Sequence, residues 1–253
     1  MTRVLEAHEL SKIYHPDRPE VSVRAVDRVS FSIDEGESIA IVGPSGCGKS
    51  TLLQLLGCLD RPTAGRYLLG GRDVAGLDDD ELAQVRNEHI GFVFQSFQLL
   101  PRLTAIENVE LPLLYSRVES ARSSRERAAE ALARVGLADR ASHLPAELSG
   151  GQRQRVAIAR ALVTQPSMLL CDEPTGALDS RTGAEVLALL TELNREGVTL
   201  VMVTHDLAVA RSMARAMWMK DGRIQEDGPS ARVVDAFAAA HGKNETIAGG
   251  PPA

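Results

Sequence analysis

Residues Gly43-Pro44-Ser45-Gly46-Cys47-Gly48-Lys49-Ser50-Thr51 satisfy the pattern G-x-x-x-x-G-K-[ST]. They lie between an apolar run, Ser38-Ile39-Ala40-Ile41-Val42, and a helix-like run, Leu52-Leu53-Gln54-Leu55-Leu56. That strand, loop and helix context is what the chemistry requires. Glycines let backbone N–H groups curl around phosphate oxygens, and the following helix adds the positive end of its dipole. Lys49 supplies a point charge for the β- and γ-phosphates, and the Ser50 hydroxyl can ligate magnesium. Cys47 fills a variable slot and is expected to contribute only its backbone. A glycine-rich turn that bound nothing would need neither the lysine nor the hydroxyl.

Two other apolar runs end in polar residues. Met168-Leu169-Leu170-Cys171 leads into Asp172-Glu173, and Val198-Thr199-Leu200-Val201-Met202-Val203 leads into Thr204-His205-Asp206. Short, continuously apolar runs separated by helical periodicity predict an α/β fold with a mainly parallel sheet buried on both faces. Ligands of such sheets sit at the C-terminal ends of the strands. Asp172 is assigned to magnesium through its water shell and Glu173 to the attacking water as general base. Alternation of faces along a strand gives the two carboxylates different jobs. The His205 ring contacts the γ-phosphate or orients the water. Gln95, which follows Ile90-Gly91-Phe92-Val93-Phe94, can offer its amide oxygen to magnesium or to the water.

The rest of the chain bounds the function. Among 253 residues, 28 Lys plus Arg face 34 Asp plus Glu, a formal charge of -6, so no basic field draws in nucleic acid and no specific nucleic-acid partner is expected. The longest stretch free of Asp, Glu, Lys and Arg, His89 to Pro101, is shorter than the roughly 20 apolar residues of a spanning helix. Charge appears too early at the N-terminus for a signal peptide, which points to the cytoplasm. Cys47, Cys58 and Cys171 show no metal-ligand spacing and read as reduced core or loop thiols.

The first 35 residues and Gly65 to Asp73 read as short strands of an N-terminal antiparallel layer, and Asp221-Gly222 as a hairpin turn. Leu99 to Leu148 is rich in helix formers, which suggests a helical subdomain inserted at about 97–160. One domain is expected over 1–240, with a disordered tail over 241–253.

Leu148-Ser149-Gly150-Gly151-Gln152 opens a further helix-like segment. Serine and two glycines at a helix start form a second phosphate cradle, unless the serine is an ordinary cap. The loop at 43–51 already holds one nucleotide, and the second cradle lies about a hundred residues downstream. Sharing between two copies explains both: two chains packed head to tail about a two-fold axis would bury two ATP molecules.

The ordered set resembles the ATP-binding-cassette family over residues 1 to about 230. The resemblance implies a P-loop NTPase fold, ATP and Mg2+ as cofactors, and ATP hydrolysis. It also implies that Tyr14 stacks on adenine and that Asp179, in Ala177-Leu178-Asp179-Ser180, helps the two sites communicate. Gly57-Cys58-Leu59-Asp60, Phe92-Val93-Phe94-Gln95, Leu103-Thr104-Ala105-Ile106-Glu107-Asn108-Val109 and Pro174-Thr175-Gly176-Ala177-Leu178-Asp179-Ser180 are similar to the lipoprotein-release and macrolide-exporter subgroup, and to the cell-division ATPase. Arg153 departs from the pattern, where another Gln is common, and is expected to alter helix-surface charge only.

The expected assembly is an ATP-induced homodimer driving a separate transmembrane permease, peripheral on the inner face of the membrane. Its work would be export, lipoprotein release or mechanotransmission. An importer ATPase, a cell-division type permease regulator, a soluble non-transport ATPase and a non-hydrolysing nucleotide binder are the alternatives. The permease is expected to dock at an apolar cluster, Phe97, Leu99, Leu100, Pro101 and Leu103.

Overall fold

Two antiparallel strands of twelve residues, β1 (Arg3–Tyr14) and β2 (Val23–Asp34), open the fold in the computed structural model, which describes residues 2–115 and 121–241. They are longer than the short strands expected. Register shifts explain how they stay continuous: Glu9 and Arg28 adopt left-handed backbone where the pairing slips, so the ribbon bends without losing Leu5, Ala7 and Leu10 from the core. After a turn at Gly36 comes β3 (Ser38–Val42), buried along its whole length, and then the glycine-rich loop and α1 (Lys49–Leu56). β4 (Ala64–Leu69) and β5 (Arg72–Asp73) complete an antiparallel sheet of order β2-β1-β4-β5.

α2 (Asp79–His89) starts with a capping box between Asp78 and Glu81 and runs into β6 (Ile90–Phe94). The chain then forms α3 (Ala105–Glu110), α4 (Ala121–Arg134) and α5 (Gly150–Leu162) before returning to the sheet as β7 (Met168–Asp172). α6 (Ser180–Arg195), β8 (Thr199–Val203), α7 (Leu207–Arg211), β9 (Arg215–Lys220), β10 (Arg223–Pro229) and α8 (Ser230–His241) follow. The second sheet has the order β10-β9-β3-β8-β7-β6 and is parallel except for the β9-β10 hairpin. That hairpin turns through Asp221 and Gly222, both at positive φ, the conformation a two-residue turn demands.

The pleat of β3 divides the core. Ile39 and Ile41 pack with α1 and the antiparallel sheet, whereas Ala40 and Val42 pack with the helical side. Ile106, Leu132, Val156 and Leu169 belong to one cluster, so the inserted helices share their core with the sheet. Each fully buried Leu, Ile or Val there contributes about 1.5–3 kcal/mol, which makes the parallel strands a rigid base for whatever stands at their ends. α8 includes His241, the first residue assigned to the tail; 242–253 lie outside the described residues.

Candidate nucleotide site

The strand register sets out the site. Phe94, Asp172, Val203 and Ile41 pair in one row across β6, β7, β8 and β3. One step further along each strand stand Gln95, Glu173, Thr204 and Val42, with Gly43 beginning the loop. Four segments distant in sequence therefore deliver their polar residues to one sheet edge. Glu173 is not a continuation of β7. Its φ of 46° is left-handed, so a backbone turn, rather than pleat alternation, separates its carboxylate from that of Asp172. The turn is held by Glu173 N donating to Val203 O at 2.9 Å and by Gln154 Nε2 donating to Pro174 O at 2.8 Å. Gln154 is fully buried and was not foreseen as part of the site; a glutamine among the apolar positions of α5 is the signal that marks it.

The loop at 43–51 shows why its glycines are needed. A Cβ on Gly48 would lie 2.0 Å from Ala25 O, and one on Gly43 would lie 2.3 Å from Met219 O. α2, α3, α5, α6 and α7 each begin with a side chain that accepts from their first N–H groups. α1 begins at Gly48, which has no such side chain, so the first N–H groups of α1 are left for an external anion. Lys49 Nζ donates to Gly43 O at 2.8 Å and Pro44 O at 2.9 Å, spanning the loop. Cys47 contributes more than its backbone. Its side chain is buried, and a Cβ on Gly43 would meet its sulfur at 2.7 Å, so the thiol fills the inside of the loop.

Gly43, Pro44, Ser45, Lys49, Glu173 and His205 line one cleft of about 280 Å³. His205 Nδ1 is 2.9 Å from Glu173 Oε1, with the ring 70% exposed and the carboxylate side chain 26% exposed. Gln95 lies near the same carboxylate: a Cβ on Gly176 would meet Gln95 Nε2 at 2.7 Å and Glu173 Oε2 at 3.3 Å. Burial raises the Asp172 carboxyl above its ordinary pKa, the charge of Glu173 adds to this, and Lys49 opposes it. Among the described residues no three His, Cys, Asp or Glu side chains cluster as a metal site. The donors that the edge and loop offer are oxygens: the Ser50 hydroxyl, the Asp172 carboxylate and the Gln95 amide. Such a set suits a magnesium ion completed by water and phosphate.

Tyr14 lines a second cleft together with Gly46, Gly48, Lys49, Ser50 and Thr51. Ser149, Gly150, Gly151 and Gln152 line neither cleft. Ser149 is the N-cap of α5, its Oγ accepting from Gln152 N at 3.2 Å while Gln152 Oε1 accepts from Ser149 N at 2.9 Å. Cβ atoms on Gly150 and Gly151 would meet Leu178 and Thr182, so this turn is packed against the start of α6. Asp179 caps that helix, accepting from Thr182 N and Oγ1, and the Thr182 hydroxyl is the main cause of its lowered carboxyl pKa. The Ser149 turn and Asp179 are therefore together, and neither lines the Lys49 cleft, although Asp179 lines an adjoining cleft with Glu173 and His205.

Arg153 does more than change surface charge. Its guanidinium lies 5.3 Å from the centroid of the Phe97 ring, and Arg160 donates to Phe97 O and Gln98 O, so α5 grips the segment after Gln95. A groove of about 800 Å³ is lined by Leu59, Phe92, Leu111, Pro112, Tyr115 and Arg160 among others, and Phe97, Leu99, Leu100, Pro101 and Leu103 do not line it. Leu99 packs against the core instead, and Gln98 is the residue of that loop which reaches the groove.

A family model described as ABC transporter matches residues 26–176. The chain belongs to that family. An ABC transporter ATP-binding protein of Bacillus subtilis, YvrO, is 51% identical over 88% of this chain and 96% of its own length. The macrolide export ATP-binding/permease protein MacB of Sodalis glossinidius is 52% identical over 89% of this chain, but over 34% of its own length. The dimeric ATP-binding cassette MJ0796, solved in a post-hydrolysis state with ADP and Pi, superposes with a TM-score of 0.80 at 46% identity, covering 89% of this chain and 98% of that one. The protein is thus an ABC ATPase, the ATP-binding subunit of a transporter. None of its described helices is long and apolar enough to cross a membrane.

Proposed function

We propose that two copies of this cassette close head to tail around two ATP molecules and drive a separate permease. One observation carries the reading. The Ser149 turn, whose serine caps α5, and the Lys49 cradle occupy different places on one chain, and we read the former as a second half-site offered to another copy. The related MJ0796 cassette is dimeric, which supports pairing of two copies. The loop at 43–51 would bind the phosphates, Tyr14 would stack on the base, and Ser149 to Gln152 of one copy would meet the γ-phosphate held by the other. Asp179, beside the Ser149 turn, would carry the state of one site to the next.

Magnesium, held by Ser50, Asp172 and Gln95, would supply charge neutralisation at the phosphates. Glu173 is positioned to polarise the attacking water, and His205 to hold that carboxylate and contact the γ-phosphate. Phosphoryl transfer asks chiefly for positioning and charge, which these groups provide without a covalent intermediate. ATP favours the closed pair; loss of phosphate removes the shared charge and lets the copies part.

The permease would dock at the groove between Leu59 and Tyr115, where apolar walls and the Arg160 grip on Gln98 join the surface to the Gln95 segment. That would hold the protein at the inner face of the membrane. The MacB relative, named for macrolide export and as a permease, favours export over import for the work done. Size-exclusion chromatography of the full chain carrying Glu173→Gln tests the central claim: ATP should convert monomer to dimer, and a monomer at saturating ATP would overturn it.

A further inference from the structure

The phrase Gly57-Cys58-Leu59-Asp60 carries no chemistry that the sequence explains, yet its last residue has two partners on β1. Tyr14 OH donates to Asp60 Oδ2 at 3.0 Å, and Lys12 Nζ forms an ion pair with Asp60 Oδ1. Lys12 also donates to Arg61 O at 2.8 Å, and its ammonium lies 5.0 Å from the centroid of the Tyr14 ring. Lys12 and Asp60 side chains are only 13% and 27% exposed, so this is no loose surface pair. Burial pushes the Asp60 carboxyl up, but the hydrogen bonds from Lys12, Arg61 N and Tyr14 outweigh it and hold the carboxyl below its ordinary pKa. The carboxylate is thus a lasting acceptor. Burial raises the Tyr14 phenol, which stays protonated and donates.

The placement of the ring gives this network a purpose. Tyr14 pairs directly with Val23 across β1 and β2, and both line the cleft that contains Gly46, Gly48, Lys49, Ser50 and Thr51. The cleft thus joins the Tyr14 and Val23 side chains to the opening of α1. Asp60 follows the C-terminal end of that same helix, so one carboxylate ties the ring to the element that holds the phosphates. We propose that Asp60 and Lys12 are positioning residues for the nucleobase, fixing the Tyr14 ring at a set distance from the phosphate loop. An unheld ring would lose rotamer freedom at each binding event, and the loss would appear as weaker affinity for any ligand that carries a base. The inference rests on the reading that Tyr14 stacks on the base.

Isothermal titration of the full chain with magnesium ATP and with magnesium tripolyphosphate separates the possibilities. Tyr14→Ala should weaken ATP by roughly five- to a hundredfold, the range of base stacking on an aromatic ring, and leave tripolyphosphate unchanged. Asp60→Ala and Tyr14→Phe should each weaken ATP about three- to tenfold, leave tripolyphosphate unchanged, and not add when combined. Asp60→Asn keeps an acceptor for the phenol and should recover part of the loss. Equal weakening of both ligands by Asp60→Ala would make Asp60 a support of the loop and overturn the proposal. Unchanged ATP affinity in Asp60→Ala beside a weakened Tyr14→Ala would reject the positioning role while keeping the base platform. An unaffected Tyr14→Ala would remove the platform and the proposal together. Should Asp60→Ala fail to fold, Tyr14→Phe and Lys12→Ala make the same comparison.

Discussion

His205 Nδ1 meets Glu173 Oε1 at 2.9 Å, although the two residues follow different strands and Glu173 has already turned into the left-handed region. The contact orients a carboxylate that the backbone alone would leave free to rotate. Glu173→Gln should bind ATP and lose hydrolysis by about a hundred- to ten-thousandfold, the cost of a missing general base. His205→Ala should lower kcat and leave nucleotide affinity nearly intact, because Glu173 remains but is no longer held. Phosphate-release kinetics read both; wild-type turnover in Glu173→Gln would reject the general-base role.

Ser149 is exposed, and its hydroxyl caps α5 without touching the Lys49 cleft. Ser149→Arg should therefore leave ATP affinity of the monomer unchanged while blocking closure of the pair. The loss of the cap costs about 1 kcal/mol of stability, too little to unfold a domain of this size. Analytical ultracentrifugation with ATP, in the Glu173→Gln background, should show monomer alone. A normal dimer would sink the shared-site reading.

Gln154 Nε2 supports the Pro174 carbonyl next to Glu173 from a position with no solvent exposure. Gln154→Leu should leave that carbonyl unpaired and cost about 1–3 kcal/mol, a lower midpoint in urea with little change in slope. The turn carrying Glu173 should loosen as well, so kcat should fall more than ATP affinity. Equal falls in both would mean that Gln154 serves the fold only.

The local pattern of residues exposed much of this architecture, and its limits are physical. Apolar strands ending in polar residues fixed the parallel sheet and placed Asp172, Glu173, His205 and Gln95 at one edge, because burial on both faces leaves polar groups nowhere else to go. The glycine loop was legible because a Cβ at Gly48 or Gly43 cannot be accommodated. Gln154, Arg153 and Arg160 were not, since their partners Pro174, Phe97 and Gln98 come from other segments and depend on helix packing. The apolar cluster around Leu99 divides between surface and core for a similar reason. Leu99 reads as surface-apolar in sequence, yet tertiary packing draws it against the core.

Asp172 carries a raised carboxyl pKa, caused first by burial and then by the neighbouring charge of Glu173. The sign of the resulting stability effect follows from proton linkage. A carboxyl whose folded pKa exceeds its unfolded value binds more protons in the native state between the two values, so its ionised form destabilises the nucleotide-free protein above them. Stability due to this group should rise as pH falls through the folded pKa of Asp172. Asp172→Asn removes the charge with little change in shape, and it should raise Tm at pH 7, with the gap from wild type closing as pH falls through that window. The same variant should lose magnesium-dependent ATP hydrolysis, a case of stability held below its maximum for the sake of function. Differential scanning calorimetry without nucleotide, across the acid range, checks the first claim. A Tm gap that stays constant with pH would show that Asp172 is no source of it.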